Sequence, residues 1–439
     1  MISYLNKALK EFITIEQSNK FFLIGVFFLP TALPISALFL LISLFISFRK
    51  KGFSLNESWN FPLVLSIGLI LFSTVNISLI NKPQILSEYD ISTIWLNLFN
   101  WIPIFLYYWG FQTYLKTDYK RFIFCKFLIS GSLPVIFSMI LQKFFQIYGP
   151  FKTLYNSIIW FQKPLIYNTD PISGLFSNPN YACTWLILIF PFTLMLLKAA
   201  KNKALQKIFL IVLCILIVYL IFLTGSRNGF LGVLITATVF IGYKNILKLT
   251  IPLILLVYVE NFFGFLINQQ SVLYNFFPLS SLFDKLKFSN FGSSIPRLEI
   301  WKSALVRIQE RPLLGWGGST FPFLNFKNNV NLMPSSTYLD AQHSHNIILE
   351  LAHNFGIPLA IILTSTVALL LFKTWSYIFL KLPSEDYLLN KKAWFASSLI
   401  IFVSQLSDLT YYDGKLSIFI GILFAGLKCI HDEQYYAQN

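Results

Sequence analysis

Histidine is concentrated in one short stretch of this chain. Three of its four histidines, His343, His345 and His353, lie within eleven residues, where a polar segment gives way to an apolar one. A neutral imidazole can accept a proton at physiological pH because its unperturbed pKa is about 6.5. His343 and His345 are therefore candidates for proton transfer, whereas we predict that His353 is a hydrogen-bonded structural residue.

Arginine is also selectively placed. The chain has 34 lysines and arginines, of which only six are arginines, and four of these are Arg227, Arg297, Arg307 and Arg311. A guanidinium group binds phosphate with a planar fork of donors that lysine lacks. This pattern indicates that arginines of this set bind phosphate.

Each leading arginine also has a structural interpretation. Arg227 follows Gly225-Ser226 between two apolar runs with almost no connecting chain, and it is either turned toward protein or a snorkelling side chain at a helix end. Arg297 stands in the first turn of a predicted helix, where the helix dipole disfavours a cation. Its alternative is a surface pair with Glu299 or Glu310.

The helix that carries Arg297 is predicted to begin near Pro296 and to end before Pro312. Its apolar face comprises Ile300, Trp301, Ala304, Leu305 and Ile308. The glycine-rich residues 314–318 indicate a tight turn, with a phosphate cradle as the weaker interpretation.

Four acidic residues fall near the predicted outer ends of helices: Glu260, Glu350, Asp408 and Asp413. They could pair with Arg227 or orient His345, but structural ion pairs are the default interpretation. A His-x-His spacing permits a metal ion. The loop nevertheless has no HExxH motif and the four cysteines show no CxxC spacing, so we predict neither a metal nor a cofactor.

The composition is that of a membrane protein. Hydrophobic residues make up 56% of the 439 positions and charged residues 12%, against about 25% charged in soluble domains. The predicted spans are 61–80, 93–115, 121–147, 181–197, 206–223, 228–243, 246–267, 346–373, 393–411 and 415–430. Residues 21–48, interrupted by Pro30 and Pro34, are predicted to form a two-pass hairpin.

These spans predict an all-α polytopic membrane protein of about 12 transmembrane helices. Lysine and arginine clusters place both termini in the cytoplasm, and this bias explains the net charge of +15 without a nucleic-acid partner. The predicted organisation is an N-terminal bundle (1–267), a large, partly helical periplasmic loop (268–345) and C-terminal helices with a short tail (346–439).

The motifs together resemble the O-antigen ligase family, which includes related polymerases and some protein O-oligosaccharyltransferases. The resemblance covers roughly residues 170–375. Its segments are Gly174-Leu175-Phe176-Ser177-Asn178-Pro179-Asn180-Tyr181, Gly225-Ser226-Arg227, Arg297 with Trp301, Arg311-Pro312-Leu313-Leu314-Gly315-Trp316-Gly317, and His345-Asn346 with Gly356.

The resemblance implies an inverting, metal-independent glycosyltransferase of the bacterial inner membrane with a periplasmic active site. The donor would be a glycan on undecaprenyl diphosphate, and the acceptor lipid A–core or another glycan or protein. Arg227 and Arg297 would hold the diphosphate, and His345 would be the general base. Arg311 and His343 are second-tier candidates, and Arg307 is weaker still. A polymerase or a protein-glycosylating enzyme of the same family remains open, and a lipid-linked sugar transporter is the weaker alternative.

Overall fold

The protein is almost entirely helical in the part that this computed structural model describes. The described residues are 16–50, 57–160, 164–167, 170–200, 204–242, 295–324, 341–381 and 385–436, with the single residues 245 and 248. The α-helices are α1 (Gln17–Phe28), α2 (Leu33–Lys50), α3 (Asn60–Val75), α4 (Ser92–Leu115), α5 (Asp118–Phe144), α6 (Pro179–Ala199), α7 (Ala204–Leu223), α8 (Arg227–Ile241), α9 (Ile295–Glu310), α10 (Ile347–Phe355), α11 (Ile357–Ser376), α12 (Glu385–Ser404) and α13 (Gly414–Tyr436).

Shorter elements connect these helices. A π-helix over Asn76–Ile80 extends α3, another over Tyr377–Lys381 extends α11, and 3-10 turns cover Gln84–Leu86 and Thr410–Tyr412. Strands β1 (Phe151–Thr153) and β2 (Ile158–Trp160) form one antiparallel hairpin, in which Phe151 pairs with Trp160.

Seven helices among the described residues are long and apolar enough to cross a membrane, since about 20 apolar residues span a bilayer core of about 30 Å. They are Leu33–Lys50, Asn60–Ile80, Asp118–Phe144, Pro179–Ala199, Ala204–Leu223, Ile357–Leu380 and Gly414–Glu433. The predicted all-α polytopic class is thereby confirmed. The number of about 12 stays a prediction, and the proposed span 246–267 lies outside the described residues.

The run 21–48 divides into two helices. Helix α1 ends at Phe28, a short turn follows, and Pro34 lies within the first turn of α2, where its missing amide is tolerated. The two helices pack antiparallel, with Ser36 Oγ donating to the carbonyl of Gly25 at 2.7 Å. Helix α1 has 12 residues, which corresponds to a length of about 18 Å.

Helices α6, α12 and α13 form the centre of the bundle. Helix α12 packs on both α6 and α8, α13 packs along α4, and α5 contacts α1. The indole of Trp394 on α12 is fully buried and is in contact with Phe124 and Phe192. This rigid centre positions the end of α12 and the start of α13, which border the candidate site.

The predicted span 346–373 is wrong as a single helix. Gly356 separates α10 from α11 with a φ of 96°, a conformation that glycine adopts without a steric penalty. A Cβ at this position would collide with the carbonyl oxygen of Leu313, and the amide of Ile357 donates to the carbonyl of Pro312 at 2.7 Å. The apolar pattern continues through the break, so hydropathy alone does not reveal it.

Candidate active site

The site is assembled at the first turn of α10. Asn346 caps this helix, because its Oδ1 accepts from the amides of Ile348 and Leu349 at 2.9 and 3.2 Å. The amide of Ile347 donates to the carbonyl of Gln405 at 2.9 Å. Asn346 Nδ2 donates to the carbonyl of Leu406 at 3.0 Å. The start of α10 is therefore fastened to the turn that follows α12.

His345 immediately precedes this cap and lies beside Asp408. The His345 Nδ1 atom is 3.1 Å from Asp408 Oδ1, and the side chains are 27% and 7% exposed. A carboxylate can only accept a hydrogen bond, so this contact places the proton of a neutral imidazole on Nδ1. The Nε2 atom then carries a lone pair, which is the form that a general base requires.

The backbone at His345 is strained. Its φ is +54°, in the left-handed region that side chains with a Cβ rarely adopt. Such conformations cost roughly 1–3 kcal/mol and cluster at functional sites. The cap at Asn346 and the contact with Asp408 supply the interactions that maintain it.

Asp408 is held in its charged form by its surroundings. Burial raises the pKa of this carboxyl, but the hydrogen bond from His345 and the electrostatic effects of His345, Arg297 and His343 lower it by more, so the net pKa is below its usual value. A charged Asp408 would favour the imidazolium that forms when His345 accepts a proton. Arg297 therefore acts on the same pair.

His343 lies beside His345 and has a lowered pKa. Burial, with the positive charge of His345, lowers the pKa of His343 to about 4, so the ring is neutral at pH 7. Its Nδ1 accepts from the amide of His345 at 3.3 Å, which leaves its proton on Nε2. The ring stacks on Tyr412 at 5.4 Å between centroids. In this arrangement His343 supports the backbone of His345 and has no lone pair free to act as a base.

Arg227 reaches the same region through the turn between α7 and α8. The turn has only three residues and uses Gly225 with a φ of 67°. Arg227 is the first residue of α8 and is exposed. Its neighbour Asn228 accepts a hydrogen bond from Ser407 Oγ at 2.8 Å, so the turn touches the residue next to Asp408.

Helix α9 brings Arg297 to the site by packing on α10. Ile300 and Ala304 are buried and form a cluster with Phe321, against which Trp301 packs. Trp301 is thus a packing residue, as predicted. Leu305, assigned to the same apolar face, is 48% exposed. Arg307 is buried, with Nη1 3.0 Å from Glu310 Oε2 and Nη2 donating to the carbonyl of Leu324 at 2.8 Å.

Arg311 lies at the opposite end of α10 from His345. Its guanidinium stacks over Trp316 at 5.3 Å, and the amide of Trp316 donates to the carbonyl of His353 at 2.8 Å. The amide of Gly317 donates to the carbonyl of Asn354 at 2.9 Å. The proposed phosphate cradle in this glycine turn is therefore wrong: these amides satisfy the last carbonyls of α10.

The acidic residues take three different roles. Asp408 orients His345, Asp413 caps α13 by accepting from the amides of Lys415 and Leu416, and Glu350 accepts hydrogen bonds from neutral donors. Glu260 lies outside the described residues. Sequence reasoning missed Tyr412, Asn228 and Ser407, because nothing in their local pattern signals contacts with residues 60 or more positions away.

His353 is fully buried within α10, and its Nδ1 is 3.0 Å from Asn354 Oδ1, as expected of a structural residue. Across the described residues, no group of three or more histidine, cysteine, aspartate or glutamate side chains is placed to hold a metal ion.

The comparisons with known proteins identify the segment that carries these features. A family model described as O-antigen ligase matches residues 209–364, from α7 to the start of α11. The match includes Arg227, Arg297 and His345, whereas Asp408 lies beyond it. A search of curated proteins gave no match. With the long apolar helices, the family match indicates a multi-pass protein of the inner membrane. The match over residues 209–364 therefore supports an assignment to the O-antigen ligase family.

Proposed function

We propose that this protein transfers a glycan from undecaprenyl diphosphate to an acceptor hydroxyl, most simply in the ligation of O-antigen to lipid A–core. The observation that carries the proposal is the hydrogen bond between His345 Nδ1 and Asp408 Oδ1. It orients an imidazole with its Nε2 atom available as a base. The family match adds that ligation or the related polymerisation is the expected activity class.

The proposed reaction is a single displacement. The acceptor hydroxyl oxygen attacks the anomeric carbon, and its proton passes to His345 Nε2. The bond between the anomeric carbon and the diphosphate oxygen breaks, its electrons leave with the lipid diphosphate, and the anomeric configuration inverts. Asp408 then stabilises the imidazolium on His345, because a charged carboxylate lies against Nδ1.

Arg227 and Arg297 are proposed to bind the diphosphate and to stabilise the charge that grows on it as it leaves. The two arginines come from separate segments near the turn that carries Asp408. The charge of Arg297 lowers the pKa of Asp408. Arg227 precedes Asn228, which accepts a hydrogen bond from Ser407. A lipid diphosphate is a good leaving group, and two guanidinium groups would neutralise much of its charge. We therefore propose that no metal ion takes part.

The donor site would face the periplasm, with both termini in the cytoplasm. A polymerase would use the same base and the same arginines on a second lipid-linked glycan, and a protein-glycosylating enzyme would use them on a protein hydroxyl. These two activities are the alternatives to ligation. The strained His345 and its carboxylate partner favour proton transfer over the transport of a lipid-linked sugar.

The test is glycan transfer by purified, reconstituted protein in the presence of EDTA. The protein receives an undecaprenyl-diphosphate glycan with lipid A–core, and the wild type is compared with His345→Ala, Arg227→Ala and Arg297→Ala. Arg49→Ala is the matched control, since Arg49 is an exposed arginine at the far end of α2 that packs over Phe45.

Transfer that survives EDTA, collapses in His345→Ala and persists in Arg49→Ala supports the proposal. Chain growth on the donor without transfer to lipid A–core makes the protein a polymerase. Donor that stays intact with every acceptor, in a protein shown to be folded, contradicts glycosyl transfer.

A further inference from the structure

Glu350 is a buried carboxylate at the first turn of α10, and only 1% of its surface is exposed. Its Oε2 accepts from the amide and the hydroxyl of Ser344 at 3.0 and 2.9 Å. Its Oε1 accepts from Asn354 Nδ2 at 3.0 Å and from Tyr412 OH at 2.6 Å. Within the described chain Glu350 makes no ion pair, and these four donors are neutral.

A buried carboxylate is costly unless its oxygens are fully hydrogen-bonded. At the other end of the bundle the carboxylates of Glu433 and Asp432 pair with buried cations, so the arrangement at Glu350 requires a separate explanation. The hydrogen bond from Asn354 does not by itself require a carboxylate, because a neutral acceptor could receive it. The other three donors belong to Ser344 and Tyr412, which both contact the histidine segment.

The first connection runs through Ser344. Glu350 holds both the amide and the hydroxyl of this residue, which directly precedes His345. The same hydroxyl lies 3.0 Å from the carbonyl of Asn346, the residue that follows His345. Glu350 thus fastens the chain immediately before the left-handed residue His345.

The second connection runs through Tyr412. Its hydroxyl donates to Glu350, its ring stacks on His343, and His343 Nδ1 accepts from the amide of His345. Tyr412 also lies on the segment between Asp408 and α13. One carboxylate therefore links the chain before His345 to the elements that flank its imidazole.

We propose that Glu350 is a positioning residue that holds the His345 ring against Asp408, with Nε2 aimed at the acceptor. The inference rests on the proposed role of His345 as a base. Glu350 itself touches no reacting atom. Its removal should lower the turnover rate through His345 and leave donor binding intact, since a misplacement of about 1 Å in a catalytic group costs about 100-fold in rate.

The experiment is a double-mutant cycle between Glu350→Gln and His345→Ala in the reconstituted full-length protein. Transfer from an undecaprenyl-diphosphate glycan is followed over long incubations, because loss of a general base leaves a residual rate about 10²- to 10⁴-fold lower. Donor affinity, KM, kcat and the thermal unfolding midpoint are measured for each variant. Glu310→Gln is the matched control, since Glu310 is a half-exposed carboxylate paired with Arg307.

We expect Glu350→Gln to lower kcat about 10- to 100-fold while the KM for the donor changes less than about two-fold. In the His345→Ala background, the same substitution should change the residual rate less than about two-fold, because residues that act as one unit are non-additive. An equal fall in both backgrounds would show that Glu350 is merely structural and would overturn the inference.

Tyr412→Phe provides a second variant for the same test. If Glu350→Gln does not fold, or if His345→Ala shows no measurable transfer, Tyr412→Phe takes its place, since it deletes one hydroxyl and keeps the ring against His343. A fall in kcat alone supports the inference, and a change in KM alone or an unchanged rate contradicts it. Wild-type transfer by His345→Ala would instead refute the proposed function, whatever Glu350 does.

Discussion

Charged side chains have different partners at the two ends of the α12–α13 pair. One end holds the start of α12 and the end of α13, and the other holds the turn between them. At the charged end, Arg121 Nη2 is 2.5 Å from Glu433 Oε1, Lys391 also pairs with Glu433, and Lys428 Nζ is 2.5 Å from Asp432 Oδ1. The three cations are almost fully buried. At the histidine end, defined by His345, Asp408 and Glu350, the carboxylates face imidazole, hydroxyl and amide groups.

This difference suggests that the charged end contributes mainly to stability and the histidine end to proton transfer. Ion pairs of lysine and arginine with carboxylates hold α5, α12 and α13 together. A carboxylate against an imidazole fixes a tautomer and prepares a lone pair on the opposite nitrogen. The ends lie about 20 Å apart along α12, so substitutions at one end should leave the property of the other largely unchanged.

The largest expected effect is the loss of turnover at the histidine end. His345→Ala should lower transfer about 10²- to 10⁴-fold. Asp408→Asn should act similarly, because an amide that donates to Nδ1 moves the imidazole proton to Nε2 and removes the base. Both variants should keep an unfolding midpoint close to that of the wild type. Radiolabelled glycan transfer and thermal unfolding measure the two quantities, and a folded Asp408→Asn with full activity would contradict the proposed role.

The charged end should show the reverse. Glu433→Gln removes the carboxylate shared by Arg121 and Lys391, and breaking a buried pair costs about 3 kcal/mol when one partner is partly exposed. The folded fraction should still transfer glycan within about two-fold of the wild-type rate. The control is Glu57→Gln. Glu57 is 38% exposed and its carboxylate lies 3.7 Å from Lys428 Nζ, so its loss should cost less than about 1 kcal/mol. Folded but inactive Glu433→Gln would abolish the proposed separation of the two ends.

The sequence supported the class of the fold, whereas the contacts within the candidate site came from the structure. Residue type and order nominated Arg227, Arg297 and His345, and their roles stay predictions. The hydrogen bond from His345 to Asp408 spans 63 positions, and only tertiary packing shows which of four candidate acids takes that role. Similarly, Arg311 was ranked for its charge, whereas its position over Trp316 follows from the glycine turn against α10.

A third prediction concerns acid sensitivity at the histidine end. The folded state holds the pKa of His343 at about 4, against 6.5 for the free side chain, so only the unfolded state binds this proton between those values. The free energy of unfolding should therefore fall by up to about 3 kcal/mol as the pH drops from about 6.5 to about 4. Thermal unfolding of His343→Gln across this range should show a smaller fall than the wild type. Equal slopes would place the acid sensitivity elsewhere.

The smallest expected effect concerns Asn346, which supports the backbone next to His345 without taking part in the proposed reaction. Asn346→Ala removes the side-chain cap of α10 and the bond to Leu406, and the loss of a cap costs about 1 kcal/mol. Because the amide of Ile347 still binds the carbonyl of Gln405, α10 should remain docked on the α12 turn. Asn346→Asp keeps the cap and loses the donor to Leu406, so its stability should lie between those of the wild type and Asn346→Ala. Turnover that falls in Asn346→Ala but not in Asn346→Asp would show that the cap itself holds His345 in its left-handed conformation, whereas equal falls would assign that role to the bond with Leu406.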